Sequence, residues 1–185
     1  TRLLINGTDS GIAHQPISDQ HRAGHRLDCS LLAGDTATLY KYVSVADSLN
    51  YTPDNLQEAG LKSVSLAYQA GFDNLFEEHG LAWDEKWTRS DIRIDGDAAA
   101  QQGIRFNIFH LNQTYTGRDD RLNIGPKGFT GEKYGGSTYW DTEAFLINFY
   151  LSTEPRQVAR NLLIYRYKQL EKAIENGAKL GFTNG

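Results

Sequence analysis

Hydrophobic periodicity changes once along this 185-residue chain, near residue 50, and the change limits what each part can become. Before it, residues 38–45 (TLYKYVSV) alternate β-formers with other residues, the period-two signature of a half-buried strand. Turn chemistry lies around that run, in Asn6 with Gly7 and in Asp9, Ser10 and Gly11. One or two strands cannot hold a sheet alone, so this part needs strands from elsewhere. After the change, apolar residues recur at helical spacing. A helix is predicted to start at Thr52, Pro53 and Asp54, where threonine can cap, proline suits the first turn and aspartate favours the positive helix end. Leu56, Val64, Ala67, Tyr68, Gly71 and Leu75 then share a face, and this helix, over residues 52–80, connects the two parts. Trp83 and Trp87 sit one helical turn apart, a spacing that reads as packing anchors before it reads as a sugar platform.

Three more helices are predicted. The first covers residues 97–113, with Asp97 as cap and a stripe of Ala100, Ile104, Ile108 and Leu111 that Phe106 and Phe109 widen to burial on more than one side. The second covers residues 139–152. The third covers residues 154–179, buries Val158, Leu162, Tyr165, Leu170, Ala173 and Ile174, and is closed by Gly181.

Several function classes fall away on composition. A net charge of −4 argues against general nucleic-acid affinity, which needs a basic patch to displace counterions. No apolar run approaches the ~20 residues of a membrane span, and residues 1–6 are too short and polar for a signal peptide. The single cysteine, Cys29, excludes an internal disulfide and a Cys-rich zinc site; a small buried or chemically indifferent thiol in a reducing, cytoplasmic setting is expected. His21 and His25 have a spacing that can bind metal, but there is no HExxH pattern and no third ligand, so with His14 they read as solvated and no metal is expected. The chain starts at Thr1 and contains no methionine, which is expected of a piece of a longer polypeptide or of a processed chain.

The chemistry concentrates in residues 125–143, GPKGFTGEKYGGSTYWDTE. Gly125, Gly128, Gly131, Gly135 and Gly136 let the backbone turn sharply and approach a ligand, and Lys127 and Lys133 add positive charge. The Walker spacing for a nucleotide phosphate is not met. Phe129, Tyr134 and Tyr139 argue against disorder. The loop runs into Trp140 and Asp141 at the mouth of a helix. An indole can cover the C–H face of a pyranose, and an ionised carboxylate accepts strong hydrogen bonds from two neighbouring hydroxyls. The same pair could equally be a packed tryptophan beside a helix cap. Glu143 is a third candidate, equally readable as a carboxylate favoured in the first helical turn. Asp119, Asp120 and Glu132 are also near in sequence, and nothing in the spacing selects an acid and a base among these carboxylates.

Residues 103–111 (GIRFNIFHL) resemble the opening helix of the catalytic barrel in glycoside hydrolase family 65, a family of disaccharide phosphorylases. Residues 124–132 and the run Trp140, Asp141, Thr142, Glu143 resemble its sugar-binding segment, and residues 125–139 are most similar to the version in members that act on maltose. The resemblance is strong over residues 90–182 and loose before them. It implies a mainly α fold: residues 1–50 as the C-terminal strands of an N-terminal β-sandwich domain, residues 51–94 as a helical linker, and residues 95–185 as the first helices of an (α/α)6 catalytic barrel. It implies that Trp140 and Asp141 bind the non-reducing glucose. The general acid, a glutamate, and the phosphate-binding residues are implied beyond Gly185, so no catalytic residue is assigned here. His110 departs from many members, which carry glutamine, and this bears on packing.

The implied reaction is inverting phosphorolysis of maltose to β-glucose 1-phosphate and glucose, with inorganic phosphate as co-substrate and no cofactor or metal. Trehalose, kojibiose or nigerose phosphorolysis on the same scaffold, hydrolysis, and a non-catalytic carbohydrate-binding or structural helical module are the alternatives. A barrel cut after its first helices leaves apolar faces uncovered. The remainder of the parent polypeptide, or a second copy in a homodimer, is expected to cover them, and the chain alone is expected to be inactive.

Overall fold

The computed structural model describes residues 1–126, 134 and 137–182. They are helix-rich with small antiparallel sheets, and divide into two compact units, Thr1–Gly80 and Leu81–Gly185.

In the first unit, strands β1 (Arg2–Ile5), β2 (Thr8–Asp9), β3 (Gln15–Ser18), β4 (Ala23–Arg26) and β5 (Ala37–Tyr40) form two sheets, one ordered β2-β1-β5 and the other a β3-β4 hairpin. Asn6 and Gly7 join β1 to β2 with φ of 52° and 78°. Two left-handed residues in a two-residue hairpin loop match the twist of the flanking strands, and asparagine with glycine tolerates them best. The strand predicted over 38–45 is shorter, because the register sets Tyr40 opposite Arg2 and β1 offers no partner beyond. Val43 and Val45 are accordingly exposed. Cys29 is exposed rather than buried. Leu3 is the one buried core hydrophobic among the described residues of this unit.

Thr52 stands at the head of a 3₁₀ turn, Pro53–Asn55, but its side chain makes no capping bond. The single helix predicted through residue 80 is two: α1 (Leu56–Ala70) and α2 (Phe72–Ser90). Gly71 separates them at φ 80° and ψ 163°, outside the helical region and reachable without strain only by glycine.

The second unit begins in the C-terminal part of α2 and continues into α3 (Ala98–Thr114), where Asp97 caps as predicted, accepting a hydrogen bond from Ala100 N at 2.9 Å. Trp83 stacks on Phe109 with ring centroids 4.9 Å apart and lies 6.0 Å from Trp87, a packing arrangement. A wide π-type turn, Thr142–Leu146, leads into α4 (Ile147–Thr153), then α5 (Arg156–Lys168) and α6 (Leu170–Lys179). Tyr115, Ile124, Ile147, Tyr150, Val158, Ala159 and Leu162 form the core.

Two expectations about burial need correction. α3 buries the side carrying Ile108 and Asn112, while Phe106 on another side is 61% exposed, because the unit packs against one side of the helix only. The helix predicted over 154–179 breaks at Gln169, whose φ of −94° and ψ of 6° end one helix and start the next. Val158 and Leu162 are buried, but Leu170 and Ile174 beyond the break are exposed. Gly181 ends α6 at φ 91°, with its N–H donating to Ala178 O and that of Phe182 to Gly177 O, both at 3.0 Å. No helix of the described residues is long and apolar enough to cross a membrane.

Candidate functional site

The start of the glycine-rich loop and the helix that follows it are tied together. Thr142 is 1% exposed, and its Oγ1 donates to the carbonyl of Ile124, itself a core residue, at 2.9 Å. This bond brings the two ends of the loop to one place. Gly128, Gly131, Gly135, Gly136, Lys127, Lys133, Phe129 and Glu132 lie outside the described residues.

Trp140 and Asp141 occupy the rim of this junction. The helical hydrogen-bond ladder starts at Trp140, whose carbonyl accepts from Ala144 N at 2.9 Å. The indole is 68% exposed and touches Phe145 with centroids 5.8 Å apart. Asp141 is the next residue, already helical at φ −53° and ψ −36°, and its carboxylate makes no capping bond. A capping aspartate has extended backbone angles and accepts from an N–H two or three residues on. Asp141 does neither, and Trp140 is not packed away, so both side chains remain accessible to a ligand.

Glu143 is differently engaged. Arg166 of α5 donates from Nε to Glu143 Oε1 and from Nη2 to Glu143 Oε2, both at 3.0 Å, in a forked pair. The same guanidinium donates from Nη2 to the carbonyl of Tyr139 at 2.8 Å and reaches Thr138 Oγ1 from Nη1 at 3.4 Å. Tyr139 also meets Tyr134 edge to face at 5.9 Å. The remaining described carboxylates in the neighbourhood are paired: Asp119 with Arg121, and Asp120 with Lys168 Nζ at 2.7 Å. Side-chain and backbone hydrogen bonds from Arg121 hold Asp119 down at about 2. Sequence reasoning missed Arg166. The available signal was phase: Arg166 lies four residues after buried Leu162 and eight after buried Val158, so it lies at the half-buried end of that stripe, where a partner is favoured.

A cleft of about 310 Å³ lies beside this junction, lined by Asn107, His110, Leu111, Thr114, Pro126 and Tyr150 among others. Neither Trp140 nor Asp141 lines it. Its wall is mostly apolar, which suits packing better than recognition of sugar hydroxyls. His110 contributes to aromatic packing, meeting Phe106 edge-on at 4.3 Å. Burial pushes the Tyr115 phenol up to about 12 and raises that of Tyr150 further, so neither is poised to exchange protons at neutral pH. His14 and His25 sit with rings 5.5 Å apart, and among the described residues no group of three His, Cys, Asp or Glu side chains could hold a metal ion.

Comparison with known proteins also finds two parts in the chain, with bounds of their own. Residues 1–86 match the profile described as glycosyl hydrolase family 65, N-terminal domain, and residues 105–185 match that described as the glycosyl hydrolase family 65 central catalytic domain. The chain is 49% identical over 145 residues to a maltose phosphorylase of Bacillus subtilis (strain 168), covering 78% of this chain and 19% of the relative. It is 36% identical over 155 residues to an α,α-trehalose phosphorylase of Thermoanaerobacter brockii, covering 84% and 20%. It is 37% identical over 147 residues to a kojibiose phosphorylase of Caldanaerobacter subterraneus subsp. tengcongensis, covering 80% and 19%. The chain thus spans about a fifth of the length of these curated relatives. A solved structure described as a kojibiose phosphorylase from the human microbiome superimposes with a TM-score of 0.70 at 26% identity, covering 97% of this chain and 23% of that one.

Proposed function

The chain belongs to glycoside hydrolase family 65, and on that premise we propose that it is part of an inverting disaccharide phosphorylase that converts maltose and phosphate to β-glucose 1-phosphate and glucose. In this reading residues 95–185 open an (α/α)6 barrel, residues 51–94 link it to the last strands of a β-sandwich in residues 1–50, and the parent enzyme is cytoplasmic. The higher identity to the maltose phosphorylase than to the trehalose and kojibiose phosphorylases supports maltose over its isomers.

Trp140 and Asp141 hold the non-reducing glucose. The exposed indole covers one C–H face of the ring, and the uncapped carboxylate accepts hydrogen bonds from two adjacent hydroxyls. Phosphate, the co-substrate, attacks C1 from the face opposite the glycosidic oxygen. The C1–O bond breaks as a general acid protonates that oxygen, glucose leaves, and configuration at C1 inverts. Phosphate is already a nucleophile, so no carboxylate base is needed to activate water. The reading assigns neither the general acid nor the phosphate ligands to this chain, and needs no metal or cofactor.

The observation that carries this reading is the pairing of an exposed Trp140 with an uncapped Asp141 within the residues that match the family's central catalytic domain. Two charge-assisted hydrogen bonds, at roughly 1.5–3 kcal/mol each, set the expected loss. Asp141→Ala in the longest native polypeptide should lower kcat/KM for maltose by about 10²–10⁴-fold. Near-normal kinetics in that variant would refute the assignment. Assays with and without phosphate separate a phosphorylase from a hydrolase. Trehalose, kojibiose and nigerose in parallel identify the sugar, and saturable binding without turnover would identify a binding module. The isolated chain should show no turnover.

A further inference from the structure

We infer that Arg166 is a positioning residue for the sugar site, an inference that rests on the reading of Trp140 and Asp141 given above. Its guanidinium grips the chain on both sides of that pair. Ahead of Trp140 it binds the Tyr139 carbonyl at 2.8 Å and Thr138 Oγ1 at 3.4 Å; beyond Asp141 it takes both oxygens of Glu143 at 3.0 Å. Thr142 is fixed independently through Ile124. Residues 138, 139, 142 and 143 are therefore each anchored, while the side chains of Trp140 and Asp141 make no hydrogen bond among the described residues. The pattern is that of a rigid frame around two side chains left open for a ligand.

The type of cation matters. A guanidinium is a flat fork whose donors lie in fixed directions, so it sets the orientation of the Glu143 carboxylate and of the Tyr139 peptide together. A lysine at this position could supply the charge but not both directions. The Arg166 side chain is 36% exposed and that of Glu143 24%, so the pair is only partly shielded from water. Ion pairs with such access to water contribute little to stability. What the contacts do supply is geometry at the one segment where the sugar-binding pair resides. Misplacing a binding group by about 1 Å, even from a change away from the chemistry, can lower a rate about 100-fold.

The test is a double-mutant cycle in the longest native polypeptide, with kcat/KM for maltose phosphorolysis as the readout and thermal unfolding recorded for each variant. Arg166→Ala should lower kcat/KM about 100-fold when Asp141 is present and about tenfold at most when Asp141 is already alanine, because only Trp140 is then left to position. The melting temperature should change little. Equal losses in the two backgrounds, or no loss with Asp141 present, would overturn the inference while leaving the sugar site standing. Were Asp141→Ala itself harmless, the site reading would fall and the positioning role with it. Arg166→Lys runs through the same cycle and decides the matter if the alanine variant does not fold; it keeps charge and stem, and should still lose more activity in the presence of Asp141 than in its absence.

Discussion

Replacing Glu154 by leucine should loosen the second unit, by an amount that follows from who is left without a partner. The Glu154 side chain is 5% exposed and sits between two cations, with Lys86 Nζ at 2.9 Å and Arg89 Nη2 at 3.1 Å. Arg89 has a second carboxylate, Glu85, at 2.6 Å, so it stays paired when Glu154 is gone. Lys86, only 22% exposed, keeps, among the described residues, just the Asn112 side-chain oxygen at 3.3 Å. Deleting one partner of a buried pair costs about 3–5 kcal/mol, and the residual water around Lys86 puts this case at the low end, about 3 kcal/mol. That is about a 100-fold rise in the population of locally opened molecules. Hydrogen exchange read by mass spectrometry on peptides from α4 and α5 should show it, in the longest native polypeptide. Adding Lys86→Met to Glu154→Leu removes the stranded charge and should restore most of the protection, because replacing both partners by apolar groups is often close to neutral. A change below about fivefold in the single variant, or no recovery in the double, would refute this reasoning.

Two tyrosines that meet edge to face at 5.6 Å should respond in opposite ways. Tyr150 Oη donates to the Leu111 carbonyl at 2.7 Å, satisfying one of the acceptors left over in the last turn of α3, so Tyr150→Phe should cost about 1–3 kcal/mol in exchange protection of that turn. Tyr115 is 4% exposed and its hydroxyl has no partner among the described residues, so Tyr115→Phe should be neutral or stabilising. Its pH dependence has a definite sign. Burial, helped by Asp119 and Asp120, pushes the phenol from 10.0 to about 12, so the folded state favours the neutral form. That stability is complete below pH 10 and is lost as pH rises through about 12; alkaline melts should show the loss in the parent and a smaller one in Tyr115→Phe. Gly117→Ala should be among the most damaging single-methyl changes in the unit. Gly117 has φ of 68°, and a Cβ there would sit 2.5 Å from Val158 Cγ1 and 2.7 Å from Val158 Cα. The left-handed penalty of roughly 1–2 kcal/mol and an overpacking cost of about 1–3 kcal/mol add, and Val158→Ala in the same molecule should recover only part, because the clash with backbone remains.

What the sequence disclosed and what it hid differ in a physical way. The cap at Asp97 and the stop at Gly181 were legible because each depends on a local residue type, an oxygen that reaches a free N–H or a residue without a Cβ. The breaks at Gly71 and Gln169 were hidden because one-residue interruptions leave the spacing of apolar residues nearly intact on either side, so periodicity reads straight through them. Gln169 carries no signal of its own, since its backbone angles are open to most residues. Trp140 and Asp141 were readable as a pair, and whether the aspartate capped a helix was not, because capping is a matter of φ, ψ and a hydrogen bond rather than of residue type.

The charges around α5 were legible in principle. Glu154, Val158, Leu162 and Arg166 are spaced four apart, and the two middle members are core residues. A charge in phase with a buried stripe is shielded from water, nearly fully for Glu154 and partly for Arg166, and favours a partner within reach. The signs also suit the helix, an acid just before its N-terminus and a base in its last turn. Each end then grips a different segment: Glu154 holds the C-terminal part of α2 through Lys86 and Arg89, and Arg166 holds residues 138–143. The buried stripe between them fixes how far apart the two grips stand. The segment bearing Trp140 and Asp141 is thus referenced to the core twice, through α5 by Arg166 and through the bond from Thr142 to Ile124.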